Sequence, residues 1–419
     1  MRIAPEWTAS SGSPSIPVPE LDGGLPVLLL RTDRNLLHHG TLGAIRSLGR
    51  AGVEVHAVLE GRASPAAHSR RLRRRHPWGP SPYREPEALA EHLRMVAARI
   101  GRRALLIPLD DAGAIFAAEH AKALEECYLL PRQDPAAPRR VADKSLLLEQ
   151  CDRYDIACPE SLVPETPAEV DEAAAALGLP LVAKWSRPWL LPDGLRSTEI
   201  VRTAERARRL FARSIGDEDD GFAAGPLILQ RRVPSGGGDW FFHGHFDDDY
   251  ACLFGGTGIK HLSHPPGAGP TVRGEWVLNP ELEQLACKIV NILGCRGTVD
   301  LDFRLDSRTG TYHLLDFNPR LGAQFRLFCD ERGIDLVRAV HLDRSGRAVP
   351  APLPRYGRTF LVEHHFLRHA LSRPGRGERA GAYRSLREAG ERAWLAADDP
   401  VPFLVMGRRS LIRAVRRTT

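Results

Sequence analysis

The chain has 419 residues, 43% hydrophobic and 26% charged, with a net charge of +6. That length fits about two to four domains with ordinary globular cores. The absence of any run of about 18 apolar residues excludes a membrane-spanning helix. Residues 1–24 mix Ser, Pro, Gly and Glu without the pattern of a signal peptide, and read as a flexible tail.

Val27–Leu30 reads as a strand, Gly43–Gly52 as a helix with apolar Leu42, Ile45 and Leu48 at helical spacing, and Val53–Leu59 as a second strand. Glu87–Ile100 is an amphipathic helix before the strand Ala104–Pro108. Asp110 and Asp111 then open the helix Ala112–His120. This alternation predicts a parallel sheet with ligand loops at its carboxyl edge. After the Pro-rich break at 131–138, Asp143 is the expected N-cap of Lys144–Tyr154. Thr166–Leu177 is a helix closed by Gly178. Strands are expected at Leu181–Lys184 and Leu227–Gln230, with the helix Ala204–Ile215 between them and a polar loop at Gly216–Gly225. Gly236–Gly238 reads as a loop, Pro280–Leu293 as a helix, and Thr359–Glu363 as a strand before Arg-rich helices.

Seven cysteines at irregular spacing, with no C-x-x-C, argue against a disulfide framework or zinc ribbon and for reduced thiols in a cytoplasm. The cations are uneven: five lysines against 53 arginines. Where Arg is the default, a surviving Lys points to a need for its compact ammonium. Lys122 and Lys288 fall on helical solvent faces, which leaves Lys144, Lys184 and Lys260. The Arg clusters at Arg70–Arg75 and Arg413–Arg417 lack interleaved aromatics, so no nucleic-acid partner is expected.

Residues 298–319 alternate strictly: T-V-D-L-D-F-R-L-D, a Gly310-containing loop at Ser307–Thr311, then Y-H-L-L-D-F-N-P. Asp300, Asp302, Arg304 and Asp306 face one way. Tyr312, Leu314, Asp316 and Asn318 are expected to share a face, with His313, Leu315 and Phe317 opposite. The simplest register sets Asp302 across from Asp316 and Asp300 across from Asn318. Two carboxylates across a strand pair repel unless a cation lies between them. Oxygen-only ligands suit Mg²⁺, which shares its shell with phosphates.

The segment L-G-C-R-G-T-V-D-L-D-F-R-L-D…L-L-D-F-N-P-R, residues 293–320, resembles the ATP-grasp superfamily, nearest its D-aspartate-ligase-like and carbamoyl-phosphate-synthase-like members. The resemblance implies an α/β chain, α+β in its ATP-grasp part: a tail at 1–24, an N-terminal parallel-sheet pre-ATP-grasp domain at 25–135, a small lobe at 136–228, a large lobe with the metal site at 229–345 and a C-terminal extension at 346–419. It implies an ADP-forming ligase that joins a carboxylate to an amine, with ATP and Mg²⁺, or Mn²⁺ in its place, and an amino acid or short peptide as substrate. Homodimers are common among such folds. Asp302, Asp316 and Asn318 match the metal ligands, and Arg320 the arginine that steadies the transferred phosphate. Lys144 and Lys184 match lysines on nucleotide phosphate. Gln230, Arg231, Arg232 and Val233 form the adenine hinge, with Asp239 toward the ribose. Lys260 approaches phosphate, and Arg273 is the candidate for holding a substrate carboxylate.

Two departures stand out. Arg231 replaces an acidic hinge residue. The lid after Lys184 has one glycine, Gly194, and two prolines, Pro188 and Pro192, where backbone N–H groups normally meet phosphate. Arg196, Ser197 and Thr198 are side-chain substitutes. Loops around Trp189, Trp240 and Trp276 are expected to shape the substrate pocket. The competing readings are a carboxylase or carbamoyl-type enzyme, a nucleotide-binding protein without turnover, and a metalloenzyme using His243, His245 and Asp247–Asp249. Gly-Lys occurs nowhere, which excludes a P-loop.

Overall fold

The computed structural model describes residues 18–192, 195–214, 223–371 and 386–415. Most of the expected tail, Gly194 of the lid, residues 216–222 of the polar loop and the end of the Arg413–Arg417 cluster lie outside the described residues. No helix among the described residues is long and apolar enough to cross a membrane.

Three sheets organise the chain. The first is parallel: β1 (Val27–Leu30), β2 (Val55–Val58), β3 (Arg74–His76), β4 (Ala104–Pro108) and β5 (Tyr128–Leu129), in the order β3-β2-β1-β4-β5. β1 and β2 are buried along their whole length, as a sheet covered on both faces requires. The helix His39–Arg50 begins four residues before its first predicted position. His38 caps it by accepting from the Thr41 amide (3.2 Å), a role usually taken by Ser, Thr, Asp or Asn. Asp110 caps Asp111–Glu119 by accepting from the Gly113 amide at 2.7 Å.

The second sheet is antiparallel: β6 (Ser161–Leu162), β7 (Leu181–Trp185), β8 (Thr198–Val201) and β9 (Leu227–Gln230), in the order β6-β9-β7-β8. The helices Pro167–Leu177 and Ala204–Ser214 cover it and share its apolar core. Thr166 and Glu169 close a reciprocal cap at the start of the first. The Glu169 amide donates to Thr166 Oγ1 at 3.3 Å, and the Glu165 amide donates back to Glu169 Oε2 at 2.8 Å.

The third sheet has seven strands: β10 (Asp239–Phe246), β11 (Cys252–Ser263), β12 (Thr271–Trp276), β13 (Gly297–Asp306), β14 (Thr311–Asn318), β15 (Thr359–Leu361) and β16 (Glu391–Arg392), in the order β14-β13-β10-β11-β12-β15-β16. One face, carrying Phe242, Leu301, Phe303 and Phe317, is buried with the helix Pro280–Leu293. The C-terminal extension contributes β15 and β16, so it completes this sheet. It also reaches the first sheet: Trp394 and Met406 share one core with Leu42, Ile45 and Phe325.

A buried relay supports the edge of the first sheet. His56 Nδ1 lies 3.0 Å from His76 Nε2, and His56 Nε2 lies 2.8 Å from Glu54 Oε1. Burial, then the His56 charge, pushes His76 down from the usual 6.5 to about 4. An unfolded His76 takes up a proton below about 6.5, whereas the folded one does not until about 4. Its contribution is therefore full above about pH 6.5 and is lost as pH falls toward about 4. Thermal melts between pH 7 and 4.5 are expected to show a declining Tm whose slope is smaller in His76→Gln. An unchanged slope in that variant would remove His76 as the cause.

Candidate active site

The hairpin β13–β14 carries the acidic residues. Asp300 pairs with Asn318 and Asp302 with Asp316, and a bulge follows between Asp302 and Phe303. Phe303 is then opposite Leu314, and Leu315 has no partner in the ladder. The bulge corrects the expected alternation. Tyr312, Leu314 and Phe317 are together in the core, while Leu315 and Asp316 both line the cavity on the other side. The carbonyl of the bulged Leu315 accepts from Lys184 Nζ at 2.8 Å. Without the extra residue that oxygen would stand in the ladder.

These groups line a cavity of about 370 Å³ between the second and third sheets, reached on one side by the first. Eleven of the thirteen predicted site residues line it. Lys144 Nζ donates to Asp316 Oδ1 at 2.5 Å. Lys260 Nζ is 2.7 Å from Asp302 Oδ1. Arg320 Nη1 donates to Asp300 Oδ2 at 2.6 Å. Each central carboxylate thus has its own cation. Asn318 Nδ2 donates to the Asp300 carbonyl oxygen at 3.0 Å, which leaves its side-chain oxygen for other contacts.

Charge balance sets the protonation states. Burial works against ionisation of Asp316, but Lys144 and Lys184 hold it below the usual carboxylate range. Burial pushes Asp302 up, Lys260 opposes this and Asp300 adds to it. Burial lowers Lys184 to about 8, against the pull of Asp316 and with the help of Lys144. Burial works to lower Lys260 too, yet Asp302, Asp300 and Asp239 carry it above the usual lysine range.

The hinge after β9 supplies Gln230, Arg231 and Val233. Gln230 Nε2 donates to Ser161 Oγ at 2.9 Å. Arg231 is pinned outward. Its Nε donates to Glu160 Oε2 at 2.8 Å, and its Nη1 and Nη2 donate to the Leu177 and Ala176 carbonyls at 3.0 and 2.9 Å. An arginine stands where an acid was expected because its partners lie on the back of the lobe. Asp239 accepts from Arg304 Nε at 2.6 Å. Ser197 and Thr198 line the cavity beside Pro188; Arg196 is exposed and does not.

Arg232 and Arg273, both expected at the site, do not line the cavity. Arg232 lies between Arg231 and the buried Val233. β12 reaches the cavity through Thr271, which accepts from Gln324 Nε2 at 3.4 Å, while Arg273 stands opposite Leu361. Of the loops around the three tryptophans, Pro188 and Asp239 line the cavity, but the tryptophan side chains do not. Trp276 is core, and Trp240 packs edge-on against Tyr312. Trp189 is absent from the lining.

Sequence reasoning missed Asp111 and assigned no role to Asp300. Asp300 lies 3.0 Å from His243 Nε2 as well as on Arg320. Gly322 packs so close to this histidine that a Cβ there would be 2.1 Å from its Cε1. His243 and His245 have separate carboxylate partners, His245 Nε2 donating to Asp343 Oδ2 at 2.8 Å. Among the described residues no group of three or more His, Cys, Asp or Glu is placed to hold a metal ion, so His243, His245 and Asp247–Asp249 do not form one. Asp247 forms a turn by accepting from the Asp249 and Ala251 amides at 2.9 and 2.8 Å.

No known protein-family profile matches the sequence. The D-aspartate ligase of Enterococcus faecium is 23% identical over 279 residues, spanning 62% of this chain and 64% of that protein. Biotin carboxylase from Campylobacter jejuni, solved with βγ-ATP, superposes with a TM-score of 0.58 at 14% identity, over 80% of this chain and 74% of that one. An L-amino acid ligase from Bacillus licheniformis gives 0.56 at 14%, over 80% and 78%. This is an ATP-grasp fold. The cavity lies between the second and third sheets of that fold.

Proposed function

We propose that this chain is an ADP-forming ligase that joins a carboxylate to an amine through an acyl-phosphate, with amino acids or short peptides as substrates. The observation that carries this reading is the pair Asp302 and Asp316, directly opposed across β13 and β14 in a cleft that also holds Lys144, Lys184 and Lys260. Two facing carboxylates are an unfavourable pair with no use in packing. Three of the five lysines in an arginine-dominated chain converge on them. The relatives named above include two ligases of amino acids, which supports the substrate class.

The residue roles follow from charge and reach. The donor set is oxygen only: Asp302, Asp316 and the Asn318 side-chain oxygen, which fits Mg²⁺ with Mn²⁺ as the alternate ion. A divalent cation bound there neutralises charge on the nucleotide's phosphates. Lys184 and Lys144 would contact those phosphates, displacing their present bonds to Leu315 and Asp316. Backbone groups of Gln230–Val233 would meet the adenine, and Asp239 the ribose. Arg320, held by Asp300, would face the phosphoryl group as it passes to the substrate carboxylate. Lys260 would balance Asp302 until the metal arrives. In this reading catalysis is mainly positioning and charge neutralisation.

The test is ADP release with Mg²⁺ against pooled L- and D-amino acids and dipeptides, with mass spectrometry of each pool. Substrate-dependent ADP and phosphate, with a product one water lighter than its parts, is the expected result. ADP release that depends on bicarbonate instead would overturn the reading.

A further inference from the structure

Asp110 and Asp111 are adjacent residues of one chemical type at the carboxyl end of β4, yet the fold uses them differently. Asp110 is fully committed. It accepts from the Thr32 amide (2.5 Å), Thr32 Oγ1 (2.8 Å), the Asp33 amide (3.1 Å) and the Gly113 amide (2.7 Å). Those bonds tie β1 to β4 and start the following helix. Asp111 has no such work. Among the described residues its Oδ1 is buried without a hydrogen-bond partner, while the side chain as a whole keeps 18% exposure; Arg320 Nε forms an ion pair with it at 3.5 Å that makes no hydrogen bond. The side chain lines the ATP-grasp cleft from the first sheet, across from Asn318 and Arg320.

A buried carboxylate oxygen that no donor meets is unfavourable, so this one is open to a ligand. Within this cleft the missing group is positively charged or a hydrogen-bond donor. The nucleotide and a substrate carboxylate are both anionic and are repelled by Asp111. Of the two cationic components, the metal has its donor set in Asp302, Asp316 and Asn318, which leaves the amine for Asp111.

Resting on the ligase reading above, we propose that Asp111 is the anchor and proton acceptor for the amine substrate. The ammonium enters as the counterion of Asp111, beside the Arg320 that steadies phosphate, and loses one proton to solvent to become the nucleophile. Its nitrogen then attacks the acyl carbon. The C–N bond forms, the bond from that carbon to the phosphate oxygen breaks, and the electron pair leaves with phosphate. The surplus N–H proton passes to Asp111, and from there to phosphate or solvent. Burial supports the second role: it raises Asp111 to about 6, Arg320 pulling the other way and Asp316 adding to it. That direction makes it a better proton acceptor than an ordinary carboxylate.

Asp111→Asn and Asp111→Ala in the full chain separate the two halves of the reaction. Both are assayed with ATP, Mg²⁺ and pooled L- and D-amino acids, with either the amino acids or hydroxylamine as acceptor. Hydroxylamine is small, uncharged at pH 7 and needs no anionic anchor. The expected result is hydroxamate formation within about threefold of the parent, amide formation down about 10²-fold or more, and an amine KM raised in Asp111→Asn. Amide formation within threefold of the parent overturns the assignment. Equal loss with both acceptors also overturns it, because Asp111 then acts before the amine arrives. If the parent itself forms no hydroxamate with any carboxylate, the ligase reading falls and this one falls with it.

Discussion

Asp316→Ala is expected to lower Mg²⁺-dependent ADP formation by about 10³-fold or more while the protein stays folded. The carboxylate stands opposite Asp302 and holds Lys144 at 2.5 Å. Its removal takes a ligand from the proposed metal site and frees Lys144 from its counterion. The fold tolerates this for a physical reason. The change removes one charge of a facing pair and leaves the aliphatic core behind the strand, with Leu314 and Phe317, intact. Asn318→Ala is expected to act in the same direction, since Asn318 bonds the Asp300 backbone and not the core. Turnover within tenfold of the parent in both variants, measured as ADP released at saturating Mg²⁺, would sink the metal assignment.

Arg46→Ala is expected to destabilise the chain by about 3–5 kcal/mol, whereas Arg50→Ala, one turn along the same helix, costs about 1 kcal/mol or less. Arg46 is fully buried. Its Nε donates to Asp399 Oδ2 at 2.9 Å, Nη1 to the Trp394 carbonyl at 2.8 Å and Nη2 to the Asp399 carbonyl at 2.6 Å. Asp399 also accepts from Ser69 Oγ at 2.7 Å and the Arg70 amide at 3.0 Å. Truncating Arg46 leaves a buried carboxylate and two carbonyls short of a donor. Arg50 makes an equally neat pair with Asp398, but both side chains are more than a third exposed, so water replaces what is lost. Urea unfolding of the two variants measures the contrast. Equal losses would show that Arg46 does not anchor the C-terminal segment.

The hairpin register was readable because strict alternation around a short Gly-containing loop leaves few pairings for Asp302 and Asp316. The bulge at Leu315 was not, since L-L-D-F alternates equally well with or without it; only packing of Leu314 and Phe317 into one core decides. Lysine scarcity pointed to Lys144, Lys184 and Lys260, which the fold gathers in one cleft. Arginine abundance had the opposite effect: among 53 arginines, Arg273 had no signal to separate it from Thr271, which takes the position at the cleft. Asp111 carried a local signal, the opening of a helix, that concealed a distant one. It meets Arg320 only because β4 ends beside the third sheet, and no periodicity along the chain encodes that. The N-terminal and large-lobe elements were legible as strands and helices, but the joining of residues 390–406 to the first sheet depends on Trp394 and Asp399, whose partners are over 300 residues away.

Burial lowers Lys184 to about 8, so more of it is a neutral amine near pH 7 than of an ordinary lysine. An acyl-phosphate is an acylating agent for neutral amines. A ligase working by that route would carry a nucleophile of its own within reach of its own intermediate. The bond from Lys184 to the Leu315 carbonyl at 2.8 Å, and any phosphate that replaces it, hold the amine away from such attack. The restraint is finite. Prolonged incubation with ATP and a carboxylate in the absence of an amine is expected to leave a slow covalent mark on Lys184, visible as an acylated peptide by mass spectrometry. The same peptide should stay unmodified when the acceptor is present. The bulge that aims one carbonyl at one lysine would then set how long such a ligase survives its own chemistry.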